Sequence, residues 1–162
     1  MNRFLAPIAI VAAVVVAGPA AAQPMAAKTY VAKAGASDLY ERQSSQLVLA
    51  TTQNAGLRDF ANQMIADHTK STADVKAAAK QAGIMVPPPK LEPMQARNIA
   101  ALRAAKGEAR DRLYVQQQKT AHQMALQLHQ SYSANGTSAP LKAVATSIVP
   151  VVQGHLQHVE GM

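Results

Sequence analysis

Glu41, His68, His122 and His155 are the residues of this sequence whose types and spacing invite a chemical reading. Each falls on or beside an apolar stripe of helical period, where a titratable side chain costs free energy unless it is paired or bound. The chain is expected to turn near Asn54, 13 residues after Glu41 and 14 before His68, so an antiparallel pair brings the two to one height. A second turn near Gly136 lies 14 residues after His122 and 19 before His155, close in level once a loop of several residues is allowed. His68 and His122 each come about 14 residues into their helices, which aligns the two hairpins. Three imidazoles and one carboxylate form a coordination set suited to one divalent metal ion.

The same four residues could instead form a buried polar network that fixes helix register, with Glu41 paired to a histidine. His129 and His158 lie one or two turns away and read as peripheral. Asp38, Asp67 and Asp111 are candidates to orient a ligating imidazole, although Asp67 reads more simply as solvated helix charge. Met64, one turn before His68, fits core packing better than copper ligation.

These residues need long helices to hold them, and the chain supplies that pattern. Ala, Gln, Leu, Lys and Met dominate the segments after residue 23, and no stretch alternates apolar and polar as a half-buried strand would. A first helix is expected over about 29–52, with Val31, Ala34, Asp38, Glu41, Ser45, Val48 and Thr52 sharing a face. Asn54 is the expected N-cap of a second helix over about 55–82, striped by Leu57, Ala61, Met64, His68, Val75 and Ala82 and closed by Gly83. Pro87-Pro88-Pro89 is a stiff extended linker. A shorter helix over 93–105 turns Met94, Ile99 and Leu102 inward, and Lys106-Gly107 interrupts it. A long helix over about 108–133 carries Tyr114, Gln118, Ala121, His122, Ala125, Leu128, His129 and Tyr132 on one broad face. The last helix begins at Pro140, which suits a first turn. It continues through Leu141, Val144, Ile148, Val152, His155 and Val159, with Pro150 expected to kink or split it. The expected fold class is all-α: a four-helix bundle of ferritin-like connectivity, with an extra short helix in the long connection between helices 2 and 3.

Composition narrows the function. The 162 residues contain no Cys, which removes disulfides, thiolate nucleophiles and thiolate-bound metals. The formal charge of +7 comes from singly scattered Lys and Arg, and with no Trp and two Phe there is no stacking platform for nucleic acid. An anionic envelope component or a protein partner suits such a surface better. Glycine-rich phosphate loops, nucleophile elbows and zinc-protease histidine pairs are all missing, so an enzyme is disfavoured. No Glu has a His three residues on, which disfavours a di-iron centre even within a ferritin-like fold.

Residues 1–22 have the three parts of a secretory signal peptide: Asn2-Arg3, the apolar run Phe4–Ala17, and small residues Ala20-Ala21-Ala22 after Gly18-Pro19. The run of about 14 residues is short of the ~20 needed to span a bilayer. Cleavage after Ala22 is expected, leaving residues 23–162 as a single periplasmic domain without a transmembrane segment.

The segments Gly35-Ala-Ser-Asp-Leu-Tyr-Glu41 and Leu57-Arg-Asp-Phe-Ala-Asn-Gln-Met-Ile-Ala-Asp-His68 resemble the first hairpin of the bacterial domain-of-unknown-function family numbered 4142. Asp111-Arg-Leu-Tyr114, His122 and Val149-Pro-Val-Val-Gln-Gly-His155 resemble its second half. The resemblance implies an exported, ferritin-like domain whose biochemical role is not established. It also aligns Glu41, His68, His122 and His155 with the family's recurring Glu and His positions. Gln43 stands where a further Glu is common, so no two-carboxylate site in the first helix is implied. Two readings follow. One is an exported, non-enzymatic module serving envelope or stress physiology by binding a partner or small ligand. The other is a mononuclear divalent-metal-binding bundle, with or without redox chemistry.

Overall fold

The computed structural model describes residues 24–162, and the expected signal segment 1–22 lies outside them. Five helices and no strand occur among the described residues: α1 (Ala27–Leu49), α2 (Ala55–Gln81), α3 (Pro93–Ala104), α4 (Gly107–Asn135) and α5 (Ala139–Glu160). Their ends follow local chemistry. The Asn54 side chain accepts from the Leu57 amide and caps α2. Gly83, at φ +67°, ends α2 in the left-handed region, and Ile84 N–H reaches back to the Ala79 carbonyl. Glu92 and Gln95 form a reciprocal capping box at the start of α3. Arg110 then ties the α3–α4 junction to α1 by donating to the carbonyls of Ala105 and Leu47.

The long helices pair as hairpins, α1 with α2 and α4 with α5; α1 also packs on α4 and α2 on α5, while α3 lies on α1 and α4. The apolar interior is split into two clusters. One gathers Tyr30, Val31, Ala34, Val75, Ala79, Tyr132, Leu141, Ala145 and Val152. The other gathers Val48, Leu57, Phe60, Ala61, Met64, Leu102, Tyr114 and Val159. Between them lies a buried polar layer of Asp38, Glu41, Ser44, Ser45, His68, Gln118, His122 and His155, drawn from all four long helices.

The face expected to be buried in the first helix is buried at every position named, although α1 ends at Leu49 and Thr52 lies beyond it. One expectation is narrowed and one corrected. Of the two effects expected of Pro150, a kink or a split, the split does not occur: the last helix runs unbroken through it. Pro150 and Thr146, whose carbonyl lacks its amide partner there, both sit on the exposed side, so water can satisfy that carbonyl. Met94 does not turn inward: in the first turn of α3 it rims an open groove with Met25 and Met124.

Candidate metal centre

One ring nitrogen from each of His68, His122 and His155 lies within 4.8 Å of the other two. The three rings meet edge-on or tilted, with centroids 5.4–5.8 Å apart. All three side chains are buried. They come from α2, α4 and α5, so three separate helices must be in register for the cluster to exist.

The hydrogen bonds made by each ring decide which of its nitrogens is left free to bind an ion. His68 Nδ1 donates to Asp38 Oδ1 at 2.9 Å. His122 Nδ1 donates to the Gln118 carbonyl one turn back, at 3.0 Å. His155 Nε2 donates to Asp67 Oδ2 at 2.9 Å. Each acceptor draws the proton to the rear of its imidazole, as carboxylates and carbonyls do behind metal-bound histidines. The remaining nitrogens, Nε2 of His68, Nε2 of His122 and Nδ1 of His155, are buried without any partner. Tetrahedral coordination at about 2.0–2.1 Å requires nitrogens about 3.4 Å apart. Closing the trio to that spacing takes at most ~1.4 Å of movement, within reach of small side-chain torsions.

Asp38 is itself held. Its Oδ2 accepts from Thr72 Oγ1 at 3.0 Å, and Arg42 donates to Thr72 Oγ1 at 2.7 Å and to the His68 carbonyl at 3.0 Å. This strut joins α1 to α2 and was not anticipated from sequence, although Thr72 stands one turn after His68 on the same face. Asp67 is not merely solvated charge: it accepts the hydrogen bond from His155 while its side chain stays part-exposed. Adjacent residues project about 100° apart around a helix, so with His68 inward Asp67 is turned toward α5. Asp111 is elsewhere: it accepts from Thr52 Oγ1 at 2.8 Å and secures the end of α1. Met64 is fully buried in the apolar cluster with Leu57 and Phe60. His158 is exposed against Phe60, and buried His129 hydrogen-bonds the Tyr30 hydroxyl at 3.0 Å.

Glu41 does not join the converging trio. It lies behind His122, with Oε1 4.0 Å from Nδ1, and neither of its oxygens has a hydrogen-bond partner. Burial raises its carboxyl to about 7, although His68 and the Gln118 side chain favour the charged form. Burial, reinforced by His68, lowers His122 to about 3. Burial also lowers His155, against the pull of Asp67. At His68 burial opposes protonation but is outweighed by the Asp38 hydrogen bond and by Glu41, so its pKa rises. Two of the three imidazoles are thus held neutral, the form that binds metal.

A family model described as "Domain of unknown function (DUF4142)" matches residues 14–162. No curated protein sequence matches the chain. Similar solved folds include a DUF305 fragment from Deinococcus radiodurans, at 18% identity and TM-score 0.71, covering 83% of this chain and 93% of that one. They also include a protein described as CopM in the Cu(II)-bound form, at 14% identity and TM-score 0.72, covering 86% and 96%.

Proposed function

The chain belongs to the DUF4142 family, and we propose that it is a mononuclear metal-binding protein in which His68, His122 and His155 hold one divalent transition-metal ion. The observation that carries this reading is the set of three partnerless ring nitrogens converging in the polar layer. A network serving only to fix register would pair those nitrogens with donors, because a half-satisfied buried network is worse than an apolar core. A metal ion satisfies all three at once. Glu41 lies behind His122, where its carboxylate adds negative charge near the trio when ionised but is not one of the converging donors. Imidazole donors suit copper and zinc, and Cu(II) heads the affinity order for such sites. A distant neighbour described as Cu(II)-bound is compatible with this choice.

The proposal includes the ferritin-like connectivity, with α3 lying in the long connection between the two hairpins. It also includes export, supported by the tripartite pattern of residues 1–22. The test is a thermal melt of metal-stripped protein with Cu, Zn, Mn, Fe or Ni salts. An ion present at a thousand times its Kd adds about 4 kcal/mol, or roughly 10 °C in a domain of this size. An unchanged melt with every salt would overturn the proposal.

A further inference from the structure

Given that centre, an ion still has to reach it. Much of what surrounds it is buried protein. His122 and Glu41 are buried, and Tyr40, Phe60 and Tyr114 close the surrounding interior. The groove between α1, α3 and α4 and the cleft beside Asn54 have none of the three histidines in their walls. The cleft under the triple-proline linker reaches Asp38 but no centre histidine.

The face between α2 and α5 differs. A cleft of about 140 Å³ between α2 and α5 has both His68 and His155 in its wall, together with Asp67, Ser71, Ser147 and Val151. Ser71 Oγ is buried there with no hydrogen-bond partner. Asp67, its side chain 36% exposed, runs from solvent to His155, so one carboxylate connects the outside to the centre. Asp74 stands at the rim paired with Lys70 at 2.5 Å. The cleft therefore carries two carboxylates against one ammonium, a balance that favours a cation.

We propose that this α2–α5 cleft is the route by which a hydrated divalent cation reaches and leaves the three-histidine centre. Asp67 and Ser71 Oγ replace its lost waters on the way. The inference rests on the centre itself, and it assigns a kinetic role to residues that do not hold the bound ion. A plug in the route raises the barrier equally in both directions, so it slows uptake and release together and leaves Kd unchanged.

The experiment is stopped-flow Cu(II) uptake by metal-stripped protein, with release to a strong chelator measured on the loaded protein. Val151→Trp and Ser147→Phe each put a large side chain at the mouth, where both residues are exposed. Met124→Trp, also at an exposed position, fills the opposite groove as a control. The expected result is that both cleft variants slow uptake and release by about ten-fold or more with Kd held within about two-fold. Met124→Trp should match the parent protein in every constant. Parent-like rates in both cleft variants, or slowing by Met124→Trp, would overturn the route while leaving the centre standing. If the parent protein takes up no Cu(II), the centre fails and the route with it.

Discussion

Asp38→Asn separates what the carboxylate does for the fold from what it does for the metal. Asp38 is buried, accepts from His68 Nδ1 at 2.9 Å through Oδ1 and from Thr72 Oγ1 at 3.0 Å through Oδ2. An asparagine can keep both contacts. Its amide oxygen faces His68, and its NH2 donates to Thr72 Oγ1, which still accepts from Arg42 and donates to the His68 carbonyl 2.9 Å away. No buried group loses its partner, so the metal-free variant should lose about 1–2 kcal/mol, the difference between a charged and a neutral acceptor. That loss should be largest below pH 6.5. The raised pKa of His68 means that its pairing with Asp38 stabilises the protein fully under acid conditions and fades as pH rises through the folded value. Metal affinity should fall further, because a neutral acceptor leaves the imidazole a poorer donor: a ten- to hundred-fold rise in Kd is expected, about 1.4–2.7 kcal/mol. Competition against a chromophoric chelator gives Kd, and urea unfolding of the metal-free protein gives the stability term. A Kd within three-fold of the parent, with the stability loss present, would show that Asp38 serves the fold alone.

Three further outcomes follow from the same structure. Glu41→Gln should raise the metal Kd by about ten-fold or more while leaving the metal-free protein as stable or more stable at neutral pH, since it removes a buried carboxyl that resists ionisation; calorimetric titration and a melt read the two. The metal-free protein should lose stability as pH falls from 6.5 toward 4.5, because His122 and His129 are held near 3 and 4 in the fold and must take up protons on unfolding. His129→Gln, which can still accept from Tyr30, should flatten that urea-measured slope by up to ~1.4 kcal/mol per pH unit. Gly136→Ala should cost ~1–3 kcal/mol by chemical denaturation, because the new Cβ would lie 2.5 Å from the Tyr132 carbonyl oxygen and press on a ring stacked 3.9 Å from Tyr30.

Much of this organisation was legible in the sequence. Asn54, Gly83 and the proline at position 93 mark helix ends through local chemistry alone, and each stands at a helix end in the structure. Counting residues back from two turns was enough to bring His68, His122 and His155 to one level, because helical rise is constant. Rotation about each axis is not contained in such a count. It is what sets Glu41 behind His122 instead of among the trio, and what gives Asp67 to His155. The apolar stripes also omitted Tyr30, Tyr40 and Phe60, which lie beside the named faces and are fully buried. Large rings reach the interior from the flank of a helix, so a narrow stripe misses them. Met94 failed for the opposite reason: apolar character at the first turn of a short helix does not ensure a neighbour to cover it.

The central claim is that three imidazoles from three helices hold one ion. Anomalous diffraction from crystals of the Cu(II)-loaded protein tests it most directly. The expected result is a single strong copper peak within about 2.0–2.2 Å of Nε2 of His68, Nε2 of His122 and Nδ1 of His155, lost in crystals of His122→Ala soaked identically. Copper bound only at surface residues such as His158, with the three inner nitrogens left without an ion, would contradict the claim.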